Sequence, residues 1–135
     1  LNATAAGELK MLLQQFQAIK KCAIASVSAI SEEIEELLNS QLYVHRVTST
    51  SKIPFKNLYS TPKTLGVDRI ALVAAAMSSY PKKNVLVVDA GTCVTYDFLN
   101  ERGEYLGGAI SPGLQMRFKA LHNFTAKLPM VTEVE

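Results

Sequence analysis

Leu86-Val-Val-Asp-Ala-Gly-Thr-Cys-Val-Thr-Tyr-Asp97 decides how the rest of this chain is read. An apolar run ends in Asp89-Ala-Gly-Thr92, and a run of alternating character follows at once. The pattern predicts a continuous strand of the buried type over 84–89, a tight turn, and an alternating partner over 93–99. That hairpin carries a carboxylate, a glycine and a hydroxyl at its turn. Gly91 supplies freedom in φ and lets backbone N–H groups approach an anion. Thr92 offers a hydroxyl to a phosphate oxygen, and Asp89 offers a carboxylate to a cation beside it. Asp and Gly are turn residues everywhere, so these four positions by themselves favour a plain hairpin.

Downstream, Asn100-Glu-Arg-Gly103 signals another turn and Tyr105 to Ile110 a third strand. Glycines inside a strand, here Gly107-Gly108, mark close approach of a backbone or a ligand. Ser111-Pro-Gly113 bends the chain into a helix from about Leu114 to Leu121, giving β-β-β-α from Asn84 onward. Upstream, Gly66-Val-Asp-Arg69 enters a helix through Ile70-Ala-Leu-Val-Ala-Ala-Ala-Met77 that ends before Pro81. Apolar nearly all round, it is expected to lie buried between layers. Asp68 reads equally well as a first-turn acid favoured by the helix dipole or as a general base, with Arg69 the fork that anchors a carboxylate. Before it, Ser49 to Lys63 is a polar loop, Leu42 to Thr48 a strand, Glu32 to about Asn39 a helix capped by Ser31, Cys22 to Val27 a strand, and Ala5 to Ile19 an amphipathic helix. That half reads α-β-α-β-α.

The bulk numbers set limits. A length of 135 residues, 48% of them hydrophobic, suits one domain with a real core or part of a larger one. The net charge is +2 and the basic runs are only the pairs Lys20-Lys21 and Lys82-Lys83, which argues against a nucleic-acid footprint. Cys22 and Cys93 are expected to be buried free thiols, and His45 and His122 stand apart with no zinc spacing. No apolar run approaches a membrane span, and no signal-peptide pattern opens the chain.

Tyr59, Leu65-Gly-Val-Asp-Arg69, the alanine-rich helix, Asp89-Ala-Gly-Thr92, Gly103 and Gly107-Gly108 are followed by Ile110-Ser-Pro-Gly113, Leu121, Thr125-Ala126 and Leu128-Pro129. In that order and spacing the chain resembles the type III pantothenate kinases. The resemblance implies an α/β, ribonuclease-H-like (actin-like ATPase) fold of two lobes, incomplete at both ends. Residues 1–81 would be the C-terminal part of the first lobe and 82–135 the N-terminal part of the second. It implies transfer of the γ-phosphate of ATP to the primary hydroxyl of pantothenate, the first committed step towards coenzyme A. Asp68 would accept the hydroxyl proton, and Tyr59, Gly66, Val67, Asp68 and Arg69 would line the pantothenate site. Gly91 and Thr92 would contact ATP, and Asp89 would bind a monovalent cation (K+ or NH4+), with Mg2+ accompanying ATP. Similar proteins act as cytoplasmic homodimers whose substrate site is completed across the interface, with no nucleic-acid or membrane partner.

Two departures stand out. The family's Asp-x-Gly-Asn-Thr phosphate loop does not occur in this sequence, and a further pantothenate-contacting threonine lies beyond the position of Pro129. The chain is therefore expected to match the middle of the enzyme and to be inactive by itself. A rival reading is a kinase-like regulatory protein of the same fold that has lost catalysis. A second is a relative of the actin-like superfamily acting on another small acceptor.

Overall fold

The computed structural model describes residues 4–131, so the outer ends of both expected lobes, 1–3 and 132–135, lie outside the described residues. The elements in chain order are α1 (Ala5–Gln15), β1 (Lys21–Ile24), α2 (Glu32–Gln41), β2 (Tyr43–Arg46), β3 (Lys56–Asn57) and a 3₁₀ turn (Pro62–Thr64). There follow α3 (Val67–Ser79), β4 (Val85–Ala90), β5 (Cys93–Leu99), β6 (Glu104–Pro112) and α4 (Leu114–Phe124). The chain is mixed α/β.

Two sheets form. β1 and β2 pair in parallel, with α2 as the crossover that a parallel pair requires. The second sheet has the order β3-β6-β5-β4, antiparallel through β4, β5 and β6 and parallel between β3 and β6. The hairpin closes through Gly91 and Thr92, with the Gly91 N–H donating to the Cys93 carbonyl at 2.9 Å. Its register sets Asp89 opposite Thr95 and Val87 opposite Asp97. Strand alternation therefore places Asp89, Thr95 and Asp97 on one face, the face that α3 covers.

The core gathers Phe55, Leu65, Ile70, Val73, Leu99 and Tyr105 under α3. Val73 and Tyr105 have no exposed surface. Burying a side chain of this size is worth roughly 1.5–3 kcal/mol relative to leaving it in water. This core joins residues from the loop before α3 to the hairpin after it.

Several expectations are corrected. The strand 84–89 was expected to be buried, but β4 is a sheet edge. Leu86 and Val88 are 61% and 52% exposed on the face away from α3, because one helix covers only one face. α3 is one-sided for the same reason: Arg69, Ile70 and Val73 are buried, while Ala75 and Ser78 are exposed. The first helix stops at Gln15 rather than Ile19. Phe16 leaves helical geometry (φ −113°, ψ 64°), and with Phe16 and Ile19 largely exposed no packing holds another turn. The loop 49–63 contains β3, recruited by pairing with β6. Both cysteines are free and only partly buried.

Candidate active site

α3 opens at Gly66, and its first turn carries Asp68 and Arg69. Asp68 is half-buried, and its Oδ1 accepts the Arg69 backbone N–H at 2.8 Å. A Cβ on residue 66 would collide with that oxygen, so glycine there lets the carboxylate fold back over the helix entrance.

Arg69 turns the other way, into the sheet. It is 6% exposed, and its guanidinium grips Asp97, which is wholly buried. Nε donates to Asp97 Oδ1 and Oδ2 at 3.0 and 3.1 Å, and Nη2 donates to Oδ1 at 2.7 Å. Tyr105 closes the cluster: its hydroxyl donates to Asp97 Oδ1 at 2.6 Å and accepts from Arg69 Nη2 at 3.1 Å. The Tyr59 ring lies 5.9 Å from the guanidinium carbon and 6.1 Å from the Tyr105 ring. The Asp97 hydrogen bond holds the Arg69 guanidinium above its usual pKa, against the opposing effect of burial. Burial, followed by the bond to Asp97, pushes the Tyr105 phenol well above its ordinary value. Removing one partner of such a buried pair strands the other, at a cost of about 3–5 kcal/mol.

The paired glycines of β6 make room for these side chains. A Cβ on residue 108 would collide with the Tyr96 carbonyl and come within 3.0 Å of Arg69 Nη2. Gly107 has φ +111°, a left-handed conformation that glycine tolerates, and the Tyr59 ring packs beside it. The close approach expected at these glycines is made by the chain's own Tyr59 and Arg69 as well as by backbone.

At the hairpin turn Asp89, Gly91 and Thr92 are exposed. Gly91 does not take a left-handed φ, and a Cβ there would meet nothing closer than 3.9 Å, so the expected need for its conformational freedom is not met. The Gly113 N–H donates to the Thr92 carbonyl at 2.9 Å, which docks the turn against the start of α4. A cleft of about 380 Å³ opens there between Gly91, Thr92, Leu114, Gln115, Met116 and Lys119. The first turn of α4, which contributes Leu114, Gln115 and Met116 to that cleft, has no side-chain cap for its N–H groups.

The family model for type III pantothenate kinase matches residues 2–135. This chain belongs to that family. It is 54% identical to a type III pantothenate kinase of Christiangramia forsetii over 121 residues, covering 90% of this chain and 50% of that protein. It is 48% identical to those of Flavobacterium johnsoniae, covering 92% and 51%, and of Bacteroides fragilis, covering 84% and 47%. The chain spans about half the length of the curated relatives it matches.

Within this chain the sequence-derived residues fall into two places. Gly66, Val67, Asp68 and Arg69 sit at the start of α3 with the Tyr59 ring beside the Arg69 guanidinium, and Asp89, Gly91 and Thr92 sit at or beside the hairpin turn. The register links the two places through the α3-covered sheet face. Sequence reasoning gave no role to Asp97 and Tyr105, though an aspartate at an inward position of a β-rich run is a signal, since Asp is depleted from strands. It also passed over Thr95, whose buried Oγ1 has no hydrogen-bond partner among the described residues. Among those residues no helix is long and apolar enough to cross a membrane, and no group of three or more His, Cys, Asp or Glu side chains is placed to hold a metal ion.

Proposed function

We propose that the protein carrying this chain transfers the γ-phosphate of ATP to the primary hydroxyl of pantothenate, at the entry to coenzyme A synthesis. The observation that carries this reading is the family match over residues 2–135. Asp68 takes the hydroxyl proton as the pantothenate oxygen bonds to the γ-phosphorus and the bond from phosphorus to the β-phosphate oxygen breaks, releasing ADP. Asp68 Oδ1 is held by the Arg69 N–H, and Oδ2 makes no hydrogen bond among the described residues, which leaves it for the proton. Tyr59, Gly66, Val67 and Arg69 surround the acceptor.

Gly91 and Thr92 contact the nucleotide. The uncapped start of α4 and Lys119, both at the same cleft, support an anion there, because a helix N-terminus carries partial positive charge. Asp89 is exposed beside that turn and supplies one oxygen ligand suited to K+ or NH4+. Mg2+ accompanies ATP in this reading, since that ion is usually held by substrate phosphates with only one or two protein carboxylates. Such cations neutralise phosphate charge. Phosphoryl transfer needs positioning and charge neutralisation more than covalent chemistry.

The reading includes a ribonuclease-H-like fold of two lobes divided near residue 81, with α3 at the seam. It also includes a cytoplasmic homodimer whose partner completes the acceptor site. The test is ADP release by the protein at its full length, with pantothenate compared against other small hydroxy acids, and mass spectrometry of the product. Phosphopantothenate formed only with potassium or ammonium present is expected. Turnover of another acceptor in preference to pantothenate would overturn the substrate assignment.

A further inference from the structure

We propose that Asp97 and Tyr105 are positioning residues that hold the Arg69 guanidinium with its Nη1 edge turned to the carboxylate of the acceptor. This rests on the pantothenate reading and deepens it.

An arginine presents five N–H donors in a planar fork. Nε and Nη2 are committed to Asp97 and Tyr105. Nη1 makes no hydrogen bond among the described residues. It is not sealed off either, since Thr95 Oγ1 is the wholly buried side-chain polar atom without a partner there. Plane and rotation are both fixed. Two nitrogens on one edge are tied to one carboxylate, the Tyr59 ring lies against the group, and the missing Cβ of Gly108 leaves space for Nη2.

Asp97 also changes what Arg69 offers electrically. A lone buried guanidinium is costly and would turn towards solvent or any anion. Paired with Asp97, it is a neutral unit whose free edge still donates. Its contribution to acceptor binding is then direction rather than raw charge. Tyr105 fixes the carboxylate in turn, because Asp97 Oδ1 accepts from Nε, Nη2 and the phenol together. Removing the phenol hydroxyl frees that oxygen to rock, and Arg69 rocks with it.

The experiment is steady-state kinetics of the full-length protein carrying Tyr105→Phe, with Asp97→Asn as a second variant. Two acceptors are compared: pantothenate, and pantothenol, which has a hydroxymethyl group in place of the carboxylate. Pantothenol is measured as a substrate or as a competitive inhibitor. Tyr105→Phe is expected to raise the KM for pantothenate by about fivefold to tenfold, the loss of roughly one modest hydrogen-bond restraint. The KM for ATP, the kcat and the pantothenol constant should stay within about twofold. Asp97→Asn is expected to move the same ratio further. General damage to the fold would shift both acceptors and kcat together. A pantothenate-to-pantothenol ratio unchanged in Tyr105→Phe overturns the proposal while leaving the kinase reading intact. A wild-type protein that phosphorylates neither acceptor overturns the kinase reading itself, and the proposal with it.

Discussion

The Tyr105 hydroxyl sits 2.6 Å from a carboxylate oxygen, on a side chain with no exposed surface. Its phenol pKa lies above the ordinary 10.0, first because of burial and then because of the hydrogen bond and charge of Asp97. The folded protein therefore keeps this proton over a range above pH 10 in which the unfolded chain has lost it. Stability must fall as the pH climbs through that range, since the unfolded state binds fewer protons there. Tyr105→Phe should lower stability near neutrality by about 1.5–3 kcal/mol, the worth of a hydrogen bond to a charged group, and flatten the alkaline decline. Spectroscopic titration should show that the tyrosine signal lost in this variant ionises above 10. A lost signal centred near 10 would mean that Tyr105 is not sealed against solvent. Of this cluster, Arg69 was legible from its motif. Asp97 and Tyr105 were not, because their roles come from strand register and burial, which no local spacing encodes.

The hairpin and the strand beside it show how far pattern reading reaches at the scale of elements. Alternation from Cys93 to Leu99, the apolar run before it and the turn between them were legible. Which strand would be central was not: β4 became an edge because β6 and β3 extend the sheet on the other side of β5. The helix α3 was legible in its limits but not in its single buried face. Glycine positions divide in the same way. Gly108→Ala should destabilise the fold by about 1–3 kcal/mol, because a methyl group must displace the Tyr96 carbonyl and press on Arg69. Gly91→Ala should change stability by about 0.5 kcal/mol or less, because its φ is ordinary and its Cβ space is open. Urea unfolding of both variants checks the pair. Equal effects would show that the two glycines are not separated by packing in this way.

At the scale of the whole molecule the described residues form a mixed α/β structure with two sheets, and the candidate site residues lie around one of them. The family was legible because its motif residues recur in order across half the chain. The pairing of Arg69 with an internal carboxylate, and the exposed apolar face formed with Leu86, Val88 and Phe98, depend on three-dimensional placement and stayed hidden. The central claim is that the start of α3 is where the acceptor hydroxyl loses its proton. The most direct test is the rate of phosphopantothenate formation by full-length wild-type protein and its Asp68→Asn variant at saturating ATP and pantothenate. Asn keeps the size of the side chain and an oxygen for the Arg69 N–H but cannot accept a proton. The account predicts a fall in kcat of about 10²–10⁴-fold with KM values changed little. A variant that retains kcat within about twofold would contradict it.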